Sequence, residues 1–215
     1  MIAIFDWDGT LMDSTGKIIT CMQLAASRAG LEVLDAKAIA NIIGLGLPEA
    51  VRTLYPSIDD HLAEQLRLQY AQIFVHEDNS LCTLYPGVEE GLQRLEAAGI
   101  PLAVATGKSR RGLDRMLDML NWQGRFAATR CADETASKPN PLMLQQLLAQ
   151  LRSEAANAVM VGDTEYDLAM AAALEMPRLG LSYGAHEAHR LHAHKPALVT
   201  DQFSLVIDWI LARAL

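Results

Sequence analysis

Ile2-Ala3-Ile4-Phe5-Asp6-Trp7-Asp8-Gly9-Thr10 opens the chain with an apolar run that stops at two aspartates and a glycine. A short apolar run closed by glycine predicts a buried strand. Successive side chains on a strand face opposite ways, so the pattern expects Asp6 and Asp8 on one side at the carboxyl end and Trp7 on the other. Two carboxylates in one small space repel. Such a pair persists where a cation lies between them or where one carboxyl keeps its proton, the condition for acid–base work. Gly9 permits a sharp turn and a close backbone approach, and Thr10 adds a hydroxyl. Taken alone, the same letters read equally well as an acidic turn, so the rest of the chain decides between the two.

A length of 215 residues suits a core domain carrying an insertion, and 51% hydrophobic residues are ample for a packed interior. A net charge of -8 argues against nucleic acid or an anionic membrane as partner, because both require a positive field, but it leaves room for a small anionic substrate held by local donors. Cys21, Cys82 and Cys131 are far apart and form no C-x-x-C, which points away from disulfides and zinc and fits the cytoplasm. No stretch approaches a membrane span, and the amino terminus lacks the basic segment of a signal peptide.

After Thr10, apolar residues recur at helical spacing from Ile18 to Ala29, and Asp13, Ser14 and Thr15 offer caps. Further helices are expected over 35–43, 49–55 and 58–75, with Gly44-Leu45-Gly46-Leu47-Pro48 as a break. Residues 14–82 therefore read as an all-helical insert, and 1–13 with 83–215 as the core. In the core, strands expected over 100–105, 126–129, 158–161, 178–181 and 197–200 alternate with helices, ending in a helix over 203–214. That alternation defines an α/β fold with a parallel, Rossmann-like sheet covered on both faces.

Ligands of open parallel sheets bind beyond the carboxyl ends of the strands. There the sequence places Asp6 and Asp8, then Thr106-Gly107, then Ser137-Lys138-Pro139, then Gly162-Asp163 with Asp167. Thr106 reads alone as a helix cap, and Lys138 alone as a solvated lysine. In series they are complementary: a hydroxyl with open backbone N–H groups suits phosphate, and Lys138 at an uncompensated helix start would welcome an anion. Four carboxylates against one lysine require a metal, and an all-oxygen ligand set beside phosphate favours Mg2+.

These segments, in this order, resemble the four motifs of the haloacid dehalogenase (HAD) superfamily, and the helical insert resembles its small cap. The segment from Ile43 to Leu47 resembles the cap loop of phosphoglycolate phosphatase-like members. The resemblance implies a Mg2+-dependent phosphatase of a small, phosphoglycolate-like phosphomonoester, with Asp6 as the nucleophile that becomes an aspartyl phosphate and Asp8 as acid and base. Thr106, Gly107 and Lys138 would hold the phosphoryl group; Asp6, the Asp8 carbonyl, Asp163 and Asp167 would hold the metal. Dehalogenases lack the second aspartate and ion-pumping ATPases carry threonine there, so Asp8 argues for phosphomonoester chemistry. A phosphomutase would keep the same core residues, and a non-catalytic phosphate-binding module would tend to lose Asp6 or Asp8.

Selectivity falls to the cap. Arg52, a helical turn beyond Pro48, is the nearest cation for a substrate carboxylate, against the plainer reading of a solvated arginine. Lys108, Arg110 and Arg111 read as a solvated helix start, and His186, His189, His192 and His194 as one solvated face. The oligomeric state is not legible.

Overall fold

In the computed structural model, which describes residues 1–78 and 80–214, the chain begins in β1 (Ile2–Phe5) and turns through Gly9 into the short β2 (Met12–Asp13). Helices α1 (Thr15–Arg28), α2 (Ala36–Ala40), α3 (Leu47–Leu54) and α4 (Asp60–Gln72) follow, and α4 runs into a π-helical turn over Ile73–Glu77. The chain returns in β3 (Thr83–Leu84), antiparallel to β2, with Met12 opposite Leu84 and Asp13 opposite Thr83. Then come α5 (Val88–Ala97), β4 (Leu102–Thr106), α6 (Arg110–Leu120), β5 (Ala128–Cys131), α7 (Leu142–Gln150), β6 (Ala158–Gly162) and α8 (Glu165–Ala172). The fold closes with β7 (Arg178–Leu181), α9 (Ala188–His192), β8 (Leu198–Thr200) and α10 (Phe203–Ala214).

The main sheet runs β5-β4-β1-β6-β7-β8, and all its pairings are parallel. β1 sits inside it, and its side chains divide by parity. Ala3 and Phe5 pack with Leu92 and Leu95 of α5 and Phe203 and Ile207 of α10, while Ile2 and Ile4 pack with Met143 and Leu147 of α7 and Met170 of α8. Burial on both faces explains why the strands read as unbroken apolar runs. Trp7 continues the first face, edge-on to Trp122 and Phe126 at centroid distances of 6.0 and 6.2 Å.

The helices of the insert bury a cluster of their own, including Met22, Ile39, Val51, Leu66 and Ile73, drawn entirely from residues 19–74. Asp59 caps α4 by accepting from the Leu62 N–H at 2.8 Å, which moves its start two residues past the expected one. The helix expected over 35–43 ends at Ala40 and finishes in turns, and the strand expected over 126–129 lies at Ala128–Cys131. The β2–β3 ribbon and α9 were not expected from the sequence; the first is too short to show a period, and the second hides in the histidine-rich stretch.

Candidate active site

The carboxyl ends of β1 and β6 bring Asp6, Asp163 and Asp167 together, with carboxylate oxygens that all lie within 4.8 Å of one another. All three are buried. Asp167 is placed by its helix: Thr164 caps α8, and the Asp167 carboxylate accepts in return from Thr164 N–H at 3.2 Å and Thr164 Oγ1 at 2.7 Å. Asp163 accepts from Thr10 Oγ1 and from the Ala185 N–H, each at 2.7 Å. A side chain at Gly9, whose φ is +86°, would run into the Asp163 carboxylate, so this close approach requires glycine.

Lys138 reaches this cluster from the loop before α7. Its ammonium, with the residue only 1% exposed, donates to Asp6 Oδ1 and, at 2.6 Å, to Asp167 Oδ1. The expectation that Lys138 stands uncompensated at a helix start is therefore corrected: two carboxylates compensate it, and α7 begins only at Leu142. These neighbours hold the ammonium pKa above its ordinary value against the opposing effect of burial. One ammonium is too little for three buried acids. Burial, helped by Asp167 and Asp163 and opposed by Lys138, raises the Asp6 carboxyl well above the usual range. Burial and then Asp167 push Asp163 up to about 7. Asp6 Oδ2 is buried with no hydrogen-bond partner. An orphaned oxygen within an all-carboxylate cluster of excess negative charge is what a hard divalent cation would complete, so the residues present fit Mg2+.

Asp8 reaches the site by a different backbone path from that of a continuing strand. The strand ends at Phe5, and the chain curls so that the Trp7 carbonyl accepts from the N–H groups of Leu11 and Met12 at 3.0 and 2.9 Å. Asp6 and Asp8 still face one cavity while Trp7 packs into the core, as the alternation expects, but the Asp8 carboxylate is not part of the cluster of Asp6, Asp163 and Asp167. It accepts instead from Ser14 Oγ at 2.6 Å and pairs with Lys108 Nζ at 2.9 Å. Lys108, expected to be solvated, is largely buried; its place directly after Thr106-Gly107 at a strand end was the available signal. Arg110 is structural, tied to Glu134 and Thr129. Thr106 is buried, and its Oγ1 accepts from Lys108 N–H at 3.1 Å, while Ser109 caps α6.

Asp6, Asp8, Gly107 and Lys108 form the floor of a cavity of about 380 Å³ roofed by the helical insert. The loop at Gly44 and Leu45 presses on Gly107, where a Cβ would stand 2.6 and 2.5 Å from their carbonyl oxygens. Gly46 N–H donates to Ser137 Oγ at 2.8 Å. At the other edge, the Asn41 carbonyl accepts from Tyr166 Oη at 2.8 Å and faces His186 Nε2 at 3.2 Å. His186 Nδ1 takes the Glu165 N–H at 3.1 Å, which leaves the ring proton on Nε2 for Asn41. His186 is thus buried between insert and core, a correction to the solvated face expected of the four histidines, whereas His189 lies exposed beside Glu187. Arg52 is also corrected. Its side chain is 59% exposed, pairs with Asp60 at 2.7 Å and does not line the cavity.

The family model described as haloacid dehalogenase-like hydrolase matches residues 3–181, and the chain belongs to that family. It is 33% identical over 211 residues to a Dickeya dadantii protein named "Probable phosphatase IndB", covering 96% of this chain and 91% of that one. It is 30% identical to a phosphoglycolate phosphatase of Psychrobacter arcticus, covering 98% and 95%. The crystal structure of a hydrolase from Pseudomonas syringae superposes with a TM-score of 0.88 at 21% identity over 99% of this chain and 98% of that one, a likeness of fold. Within the family the chain is a phosphatase enzyme, similar to the phosphoglycolate phosphatases. Among the described residues no helix is long and apolar enough to cross a membrane.

Proposed function

We propose that the protein is a cytoplasmic, Mg2+-dependent phosphatase that hydrolyses small phosphomonoesters through a phosphorylated Asp6. The observation that carries this reading is Asp6, which lines the cavity, is held by a buried lysine through Oδ1 and keeps Oδ2 without a protein partner. In the first half-reaction a carboxylate oxygen of Asp6 attacks phosphorus, the bond from phosphorus to the ester oxygen breaks, and Asp8 gives a proton to the departing alkoxide. In the second, Asp8 takes a proton from water as the water oxygen attacks phosphorus; phosphate leaves and Asp6 is restored. Ser14 and Lys108 hold the Asp8 carboxylate at the cavity floor for both proton transfers.

Asp6, Asp163 and Asp167, with the Asp8 carbonyl, would hold Mg2+, which when bound neutralises charge on the phosphoryl oxygens. Thr106, the open backbone at Gly107 and Lys138 are assigned to those oxygens, and the helical insert of residues 14–82 to a cap that closes over the leaving group. The relatives named phosphoglycolate phosphatase support a small phosphorylated metabolite as substrate. Phosphate release from a panel of phosphomonoesters, with Mg2+ and then with excess EDTA, tests the reading, with glucose 1-phosphate isomerisation measured in parallel. Release that EDTA abolishes is expected. Full activity in EDTA, or isomerisation without release, would overturn it.

A further inference from the structure

The walls of the cavity differ in kind from its floor. Above Asp6, Asp8 and Lys108 they are built from Ile18, Met22, Ile42, Tyr70 and Phe74 of the helical insert and Met116 of the core. A volume of about 380 Å³ would hold about a dozen waters at roughly 30 Å³ each, and it falls in the range of about 300–1,000 Å³ that takes a drug-sized organic ligand. The two-carbon acid of phosphoglycolate would leave most of these apolar walls against water. A carboxylate would also find little to hold it. Of the cations lining the cavity, Lys108 is paired with Asp8, Arg67 is gripped twice by Glu64, and Arg115 donates to the Val75 carbonyl, while Glu49 and Asp133 line the same space with the opposite sign.

Phe74 lines the cavity beside the lysine that pairs with Asp8. Lys108 Nζ, the partner of Asp8, lies 5.2 Å from its ring centroid, and Lys17 Nζ lies 4.9 Å from it. Tyr70 backs the ring at 5.7 Å. The residue sits in the π-helical turn Ile73–Glu77, a distortion that costs regular hydrogen bonding and recurs at functional sites. A phosphoester whose phosphorus is at Asp6 and whose ester oxygen is at Asp8 would have its alcohol within a cavity walled by Phe74 and its apolar neighbours.

From this juxtaposition we infer that the substrates are phosphomonoesters of bulky apolar alcohols, with Phe74 as a specificity-determining residue. The inference rests on the phosphatase reading and names the leaving group that reading leaves open. Each methylene moved from water into the chamber is worth about fourfold in binding, so selectivity should climb with apolar size while the basicity of the alcohol is held nearly constant.

The test compares kcat/KM with Mg2+ for ethyl phosphate, 2-phenylethyl phosphate and phosphoglycolate, on the full chain and on Phe74→Leu, with circular dichroism melting to show that the variant folds. The expected result is 2-phenylethyl phosphate favoured over ethyl phosphate by about tenfold or more and over phosphoglycolate, with the phenylethyl-to-ethyl ratio reduced about fivefold or more in Phe74→Leu. Should Phe74→Leu fail to fold, Met116→Ala on the core side of the chamber provides the same ratio. Preference for phosphoglycolate, or a phenylethyl-to-ethyl ratio near one, would overturn the inference and leave the phosphatase reading standing. Absence of phosphate release from all three esters would overturn both.

Discussion

Lys138 and Asp6 form an ion pair with side chains 0% and 1% exposed, yet the pair leaves one carboxylate oxygen, Asp6 Oδ2, without a partner. The ammonium is shared with Asp167 Oδ1 at 2.6 Å, so it steadies two acids without saturating either. Asp6 is thereby fixed in position while one oxygen stays available for a ligand.

Lys138→Met should cost about 3–5 kcal/mol of stability near neutral pH, because it strands buried carboxylates without their cation. The loss should be smaller at about pH 5 than at about pH 8, since the raised Asp6 and Asp163 carboxyls take up protons and relieve the repulsion. Urea unfolding at the two pH values reads the difference. Equal losses at both would show that charge among these acids is not what Lys138 balances.

Asp163 sets a pH window. Its folded value of about 7 lies above the ordinary 3.8, so folding takes up a proton between the two. Metal-free stability attributable to this group is fullest below about pH 4 and is lost as pH rises to about 7. Mg2+ competes for the same oxygens, so its affinity should rise across the window and level off above about pH 7. Titration calorimetry in phosphate-free buffer checks this. Affinity independent of pH between about 5.5 and 7.5 would contradict the assignment of Asp163 to the metal.

Gly107→Ala probes cap closure. The added methyl would stand 2.5 Å from the Leu45 carbonyl oxygen, so either the cap loop lifts or the backbone at Gly107 shifts. We expect kcat/KM to fall by about tenfold or more with a melting temperature close to wild type, because closure and not folding is impaired. Unchanged turnover would mean that the contact between this loop and Gly107 plays no part in the reaction.

The α/β fold was legible because β1, β4 and β6 are buried on both faces and leave unbroken apolar runs, while the helices between them show an apolar stripe. The grouping of Asp6, Asp163 and Asp167 with Lys138 was legible because Asp6 and Asp163 directly follow strands, and Asp167 and Lys138 lie in the first turn or loop beyond strands, on the side where the topology of a parallel sheet converges. What the sequence hid is pairing across distance. Nothing near Lys108 signals Asp8 as its partner, and nothing near His186 signals Asn41 as a partner from the helical insert. Arg52 follows the plainer of its two readings: nearness in sequence to the cap loop suggested a role, but its exposed side chain pairs with Asp60 and does not line the cavity. The apolar walls drawn from α1, α4 and the π turn could not be assembled without the packing of one helix on another.

The central claim is that Asp6 carries the phosphoryl group during turnover. Rapid acid quenching of the Mg2+-loaded enzyme with a radiolabelled phosphoester, followed by peptide mapping, tests it most directly. The account predicts acid-stable label on the peptide holding Asp6, released by hydroxylamine as an acyl phosphate is, and absent from Asp6→Asn together with turnover. Steady phosphate release with no such label at any quench time, or label that persists in Asp6→Asn, would contradict it.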